Sequence, residues 1–287
     1  MSTAGVEPIK NPKLYTTVHY SVQTCDIVYN NLAPGAQRME RFACATKDEL
    51  VRKCLTSFFE SLEYCVTKIP YSQHYVRFFD DHSTPKTIKF LNKLIKRFSS
   101  DNIHIDLVNL KRRGIMNSTK NCFKWMDKSG KQLVYQIQDD FLFRPNCIFE
   151  MIDIFNYVLN ETENQEHIIV LPFNDPRHWL GYYKYKLMPR MVVPGRHQYW
   201  LTAYDLPSGF MTSVEQFRKH WDLYDAFLKM DSFDPMLEPK TINKICYEYR
   251  AQALRPFTTL AFHMQTEYEE DPYTDWRPYW DAVQDIK

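Results

Sequence analysis

The chain has 287 residues, 44% of them apolar and 15% aromatic, with 36 Lys plus Arg against 35 Asp plus Glu. That length suits one large α/β domain or two small ones, and a net charge of +1 with well-mixed signs leaves no basic field for nucleic acid or an anionic membrane. Only 7 glycines occur, where roughly 20 are usual, and neither a GxGxxG turn nor a P-loop is present, which excludes two common nucleotide cradles.

Leu14–Tyr20 is β-branched and aromatic and predicts a first strand, followed by a loop over 22–43. Thr46 stands three residues before Glu49, a capping-box spacing, and Leu50, Cys54, Phe58, Leu62 and Val66 then recur every fourth residue along a helix. Tyr75–Phe79 predicts a second strand running into Asp80, Asp81, His82 and Ser83, and Pro85–Phe98 a helix with Pro at its first turn. A third strand is expected over Ile103–Val108, a break at Gly114, a helix over Asn117–Met126 and a fourth strand over Lys131–Gln138, which ends at Asp139-Asp140. A helix over Asn146–Leu159 and a strand over His167–Phe173 complete this alternation. Alternation of this kind implies a mainly parallel sheet flanked by helices, with ligands beyond the carboxyl ends of its strands. Both Asp pairs fall at such ends.

Beyond residue 173 the chain turns Pro- and aromatic-rich, and the expectation is helices at Val214–Met230 and Pro239–Leu254 and a short strand at Thr258–Phe262. The divisions expected are a tail over 1–13, a nucleotide-binding half over 14–173, an acceptor half over 174–266 and an acidic, aromatic tail over 267–287. Seven cysteines without a CxxC pair read as small apolar residues of a reduced compartment. With no apolar signal region in Met1–Lys13 and no membrane-length apolar run, a cytoplasmic setting is expected.

Two adjacent carboxylates at a strand end repel, and burial raises the cost of both charges. A divalent cation relieves it, since Mg²⁺ or Mn²⁺ is held by one or two carboxylates plus substrate phosphates. Asp139-Asp140 fits that role, or else simply caps the next segment. Asp80 and Asp81 can accept from nucleotide hydroxyl or imide groups, with Ser83 orienting them, and can equally form an Asx or N-cap turn. Lys111, Arg112 and Arg113 can neutralise donor phosphates or form a solvated charge run. Arg177, His178, Arg196 and His197 lie in predicted loops, where function concentrates. Trp179, Trp200 and Tyr204 offer a platform for a sugar ring or pack internally. His263, after an apolar strand, reads as a metal ligand or a core histidine.

The order strand, helix, strand-DDxS, helix, strand, Gly loop, helix, strand-xDD resembles the GT-A glycosyltransferases, the family-2-like enzymes in particular. Asp80-Asp81-His82-Ser83 and Gln138-Asp139-Asp140 carry the likeness, over roughly residues 14–160. It implies a Rossmann-like nucleotide-diphospho-sugar transferase architecture and a metal-dependent transfer from a UDP- or GDP-sugar to an acceptor the sequence does not identify. By the same resemblance Asp80 or Asp81 contacts the base, Asp139 the ribose or sugar, and Asp140 the Mn²⁺ or Mg²⁺ ion, with His263 similar to a histidine that completes the metal site. Ser208-Gly209-Phe210-Met211 looks like the acceptor-side segment. The departures are Gln138 in place of the first acid and a third-strand loop with Gly114 alone.

An inverting transfer needs a carboxylate to take the acceptor's proton. Asp205, just before the SGF segment, is the first choice, with Asp222 and Asp225 as alternatives. Competing readings are a nucleotidyltransferase of similar fold, which would want a basic Gly-rich loop after the first strand, and a non-catalytic binding protein on the same fold.

Overall fold

The computed structural model describes residues 14–25, 46–161, 168–174, 190–206, 209–229, 240–249, 251–264, 274–284 and 286. The expected 1–13 tail, most of the 22–43 loop, Arg177, His178, Trp179, Ser208 and residues 267–273 lie outside them. The first stretch alternates as the sequence predicts: β1 (Thr17–Thr24), α1 (Lys47–Lys68), β2 (Gln73–Asp80), α2 (Pro85–Phe98), β3 (Ile103–Asn109), α3 (Ile115–Asp127) and β4 (Leu133–Gln138). β5 (Phe141–Phe143), α4 (Cys147–Glu161) and β6 (Ile168–Val170) follow. Then come β7 (Val192–Pro194), β8 (Tyr199–Ala203), β9 (Met211–Ser213), α5 (Val214–Lys219) and α6 (Trp221–Leu228). The chain closes with α7 (Lys244–Tyr247), β10 (Gln252–Pro256), β11 (Ala261–His263) and α8 (Arg277–Ala282).

Nine strands form one sheet in the order β3-β2-β1-β4-β9-β6-β10-β8-β7, and β11 pairs with β5 in a separate two-stranded ribbon. β1 runs parallel to β2 and β4, and β2 parallel to β3. β9 enters antiparallel between β4 and β6. Period-two alternation gives the sheet two apolar faces. Leu133, Tyr135 and Ile137 of β4 join the cluster with α1, α2 and α4, while Val134 joins α3, α5, α6 and α7. The result is a three-layer sandwich whose sheet runs unbroken across the boundary near residue 173.

Local signals account for the helices. The Thr46 hydroxyl accepts from Glu49 N–H at the start of α1, and Leu50, Cys54, Phe58 and Leu62 are buried along it. Pro85 opens α2, where its missing N–H costs nothing. β1 extends to Thr24, beyond the expected end at Tyr20, because Val22, Gln23 and Thr24 gain partners in Phe78, Phe79 and Asp80.

The expected helix over Pro239–Leu254 is corrected: Lys244–Tyr247 forms the short α7, and from Gln252 the chain is β10. Ala253 and Leu254 are buried on opposite faces of the sheet, and a short apolar run of that kind has no helical period to distinguish it. The Val214–Met230 helix is two pieces broken at His220. No helix among the described residues is long and apolar enough to cross a membrane.

α8 seals the β5–β11 ribbon. Trp276, Trp280 and Val283 pack with Leu142, Phe262 and Met264 of the ribbon and Leu50 and Cys54 of α1. Lys53 Nζ also donates to Trp280 O at 2.7 Å. Trp280→Ala should destabilise the protein by about 3 kcal/mol, measured by urea unfolding; a loss below about 1 kcal/mol would show that α8 is not docked there.

Candidate active site

Parallel strands emit their ligands' contacts where successive connections leave on opposite faces. Here α1, after β1, covers one face and α3, before β4, covers the other. The topological switch point therefore lies between the carboxyl ends of β1 and β4. Cys25 follows the first and Asp139-Asp140 the second, while Asp80-Asp81 ends β2 one strand away.

All four aspartates are buried, at 2 to 5% exposure, which sets them apart from ordinary strand-end acids. Asp80 accepts from Ser83 N–H with both oxygens, at 3.2 and 3.3 Å, so it does form the turn that precedes α2. Asp81 accepts from Gly114 N–H at 2.9 Å and lies 3.2 Å from His82 Nδ1. That bond ties the loop after β3 to the end of β2. Gly114 has φ +119°, a conformation open to glycine, and His82 sits at φ 60°, uncommon for a side-chain-bearing residue. Backbone strain of this kind collects at functional sites. Arg113, with Lys111 and Arg112, is exposed beside Gly114.

Asp139 is held on both oxygens. Cys25 N–H donates to one at 2.6 Å, and Lys47 Nζ, from the first residue of α1, lies 2.5 Å from the other. Burial pushes the Asp139 carboxyl above its ordinary pKa, while Lys47 and the Cys25 N–H pull it back. Lys47 was not among the residues singled out from the sequence. Its signal was a cation at a helix start, where the dipole disfavours one.

Asp140 points elsewhere. After it the chain forms β5, which pairs antiparallel with β11 so that Phe141 opposes His263. Met264 N–H donates to Asp140 O at 2.8 Å, and the His263 ring stacks on Phe141 with centroids 4.5 Å apart and planes 8° from parallel. This brings His263 Nε2 to 3.7 Å from Asp140 Oδ1, both atoms inaccessible to solvent. Two atoms that bind one Mg²⁺-sized cation at about 2.1 Å in adjacent octahedral positions stand roughly 3 Å apart. At 3.7 Å the pair is too far apart for a direct hydrogen bond and wider, by about 0.7 Å, than two such adjacent ligands. Among the described residues no group of three or more His, Cys, Asp or Glu surrounds one point, so any further ligands would come from substrate oxygens and water.

Asp205 is joined to the far side of this site by aromatic rings. Its carboxylate receives Arg255 Nη2 at 2.9 Å, and the guanidinium of Arg255, 1% exposed, lies over Phe173. Phe173 packs on Phe141 at 5.4 Å. Gly209, at φ +94°, lets the chain pass these rings: a Cβ there would stand 3.4 Å from both. Arg190 lies in the same cluster, and burial followed by repulsion from Arg255 lowers its pKa.

The other two candidate bases are not brought here. α5 starts at the opposite end of β4, where Val214 N–H donates to Gln132 O. On α6, Asp222 is exposed and Asp225 pairs with Lys229 at 2.7 Å. Arg196 pairs with Asp153 of α4, His197 lies against Phe149, and Trp200 is buried in the core.

No protein-family model matches the chain, and no curated protein matches it by sequence. Many solved structures are similar, among them the following three. The mannosyltransferase PcManGT from Pyrobaculum calidifontis, in complex with GDP-Man and Mn²⁺, is 16% identical over 61% of this chain and 40% of its own, with a TM-score of 0.36. The galactosyltransferase LgtC, in complex with donor and acceptor sugar analogues, is 11% identical over 81% of this chain and 65% of its own, with a TM-score of 0.38. GalNAc-T7, with UDP, GalNAc and Mn²⁺, is 10% identical over 91% of this chain and 46% of its own, with a TM-score of 0.51. The chain thus spans 40 to 65% of the lengths of these three structures. The overlap with GalNAc-T7 extends along nearly the whole chain, and the nine-stranded α/β sheet with its parallel N-terminal strands is a GT-A-like glycosyltransferase fold.

Proposed function

We propose that the chain transfers a sugar from a nucleoside-diphosphate sugar to an acceptor, with Mn²⁺ or Mg²⁺ at Asp140 and His263. The observation that carries this reading is the β5–β11 ribbon, which sets His263 Nε2 3.7 Å from Asp140 Oδ1 at the carboxyl edge of the sheet. The fold shared with GalNAc-T7, whose structure holds UDP and Mn²⁺, supports it.

A cation bound there supplies charge stabilisation to the departing diphosphate. The chain's own residues do the rest. Asp81 and the Gly114 loop it ties form the base and ribose side of the crevice, and Arg113 offers a charge for the phosphates. Segment 174–266 supplies the acceptor side. Asp205 belongs to that side, but a carboxylate paired with an arginine is a weak base. It suits the orientation of acceptor hydroxyls better than removal of their proton. Incubation with a panel of UDP- and GDP-sugars and Mn²⁺ should release free nucleoside diphosphate for one donor class. Turnover absent across the whole panel, with no thermal stabilisation by any donor, would sink the reading.

The non-catalytic reading on the same fold draws on one observation: Asp139 and Asp205 are both neutralised by partners within the chain. Donor binding without hydrolysis or transfer is its distinguishing result.

A further inference from the structure

The sheet face under α3 carries a line of buried polar side chains where apolar ones would need no partners. Period-two alternation puts Gln136 of β4 and Gln23 of β1 on that face. Their register makes them diagonal neighbours, with Gln136 opposite Ser21 and Gln23 opposite Gln138, and they are 1 and 7% exposed. Gly209 N–H donates to Gln136 Oε1 at 2.9 Å, and Gln136 Nε2 donates to Gln23 Oε1 at 2.8 Å. Gln23 Nε2 then donates to Thr119 Oγ1 at 2.8 Å and Ser118 Oγ at 3.2 Å, and Thr119 Oγ1 donates to Ile115 O at 2.9 Å. A backbone donor begins this chain of bonds and a backbone acceptor ends it, so neither amide can be reversed without setting like groups face to face.

The line joins two loops. Gly114 and Gly209 are the glycines of positive φ among the described residues, and each stands at one end of it. Gly114 O receives Ser118 N–H, while Gly114 N–H is held by Asp81. At the other end Gln136 N–H also donates to Phe210 O, so one residue grips the 209–210 segment through main chain and side chain together. A buried acceptor that loses its donor keeps the full cost of its desolvation. Release of Gly209 therefore unseats Gln136, then Gln23 and the first turn of α3, and the bonds hold or yield as a unit.

We propose that Gln23 and Gln136 are positioning residues that couple the Gly114 loop to the Gly209 segment, so that nucleotide bound at the first orders the second for the acceptor. The proposal rests on the sugar-transfer reading, which sets base and ribose beside Gly114 and the acceptor beside Gly209. Coupling of this kind is reciprocal: an acceptor that orders Gly209 tightens nucleotide binding by the same factor.

The test is hydrogen exchange at the 209–211 amides, read by mass spectrometry against the amides of α1, which report global opening. Wild type, Gln23→Met and Ser118→Ala/Thr119→Val are compared free and with UDP or GDP plus Mn²⁺, at concentrations that saturate each melting shift. In wild type the nucleotide should slow exchange at 209–211 by at least about threefold. Both variants, equally saturated, should lose that slowing. A merely structural role would speed exchange in the free and bound forms alike and leave their ratio unchanged. Slowing retained by either folded variant would overturn the proposal, as would wild type that binds nucleotide without slowing. If Gln23→Met does not fold, Ser118→Ala/Thr119→Val, which leaves the two amides bonded to each other, decides the matter. A wild-type melt moved by neither nucleotide would count against sugar transfer. The link is then read in the free protein, where Ser118→Ala/Thr119→Val should speed exchange at 209–211 by at least about threefold relative to α1, and unchanged exchange would overturn it.

Discussion

Asp140→Asn should abolish the extra thermal stability conferred by Mn²⁺ with UDP or GDP, and lower sugar transfer by at least about 100-fold, or roughly 2.7 kcal/mol of barrier. The expected size follows from geometry. Asp140 is the carboxylate aimed at His263, and the substitution removes a charge while keeping the shape. The turn itself should survive, because Met264 N–H binds the backbone carbonyl of residue 140 and not its side chain. The melting temperature without metal should therefore stay within a few degrees of wild type. His263→Ala should weaken assisted Mn²⁺ binding by about 10- to 100-fold and cost about 1 kcal/mol of stability from the lost stack on Phe141. A large fall in metal-free stability, with metal binding intact, would instead make His263 a core residue.

Arg255→Met should be the most destabilising single change outside the apolar core. Arg255 is fully buried and Asp205 nearly so, and removal of one partner of a buried pair costs up to about 3–5 kcal/mol, with Arg190 in the same cluster left to offset part of the Asp205 charge. For a chain of this size that corresponds to roughly 10 °C in melting temperature. Removing both charges, as Arg255→Met/Asp205→Asn, should recover part of the loss, because a buried pair is worth far less than the cost of breaking it. A loss below about 1 kcal/mol for Arg255→Met would show that Asp205 is well solvated and the pair behaves like a surface one. Such a result would also return Asp205 to consideration as a proton acceptor.

The difference between the two halves of the chain explains what the sequence disclosed. Residues 46–138 alternate amphipathic helices of 13 to 22 residues with strands of six to eight, long enough for each to show its own period. There the element order alone placed Asp80, Asp81, Asp139 and Asp140 at strand ends. Beyond residue 190 the strands are three to five residues long and, apart from the β7–β8 pairing, join segments far away in the chain. Val192–Pro194 and Met211–Ser213 are too short to show alternation, and β10 lay inside a segment with apparent helical character. The doublet was legible but its division was not. Nothing in the local sequence indicates that Lys47 reaches across 92 positions to Asp139, or that Arg255 meets Asp205. His263 stood out only as an imidazole after an apolar run, and the ribbon that gives it meaning joins two three-residue segments.

That ribbon has a consequence for the order in which competence is acquired during synthesis. The fourth strand and its aspartates are synthesised first, and β11, which aligns the imidazole, follows more than a hundred residues later. A nascent chain or proteolytic fragment that stops short of β11 would have its parallel strands in place and still lack the imidazole that faces Asp140. The edge that pairs Asp140 with His263 is finished last.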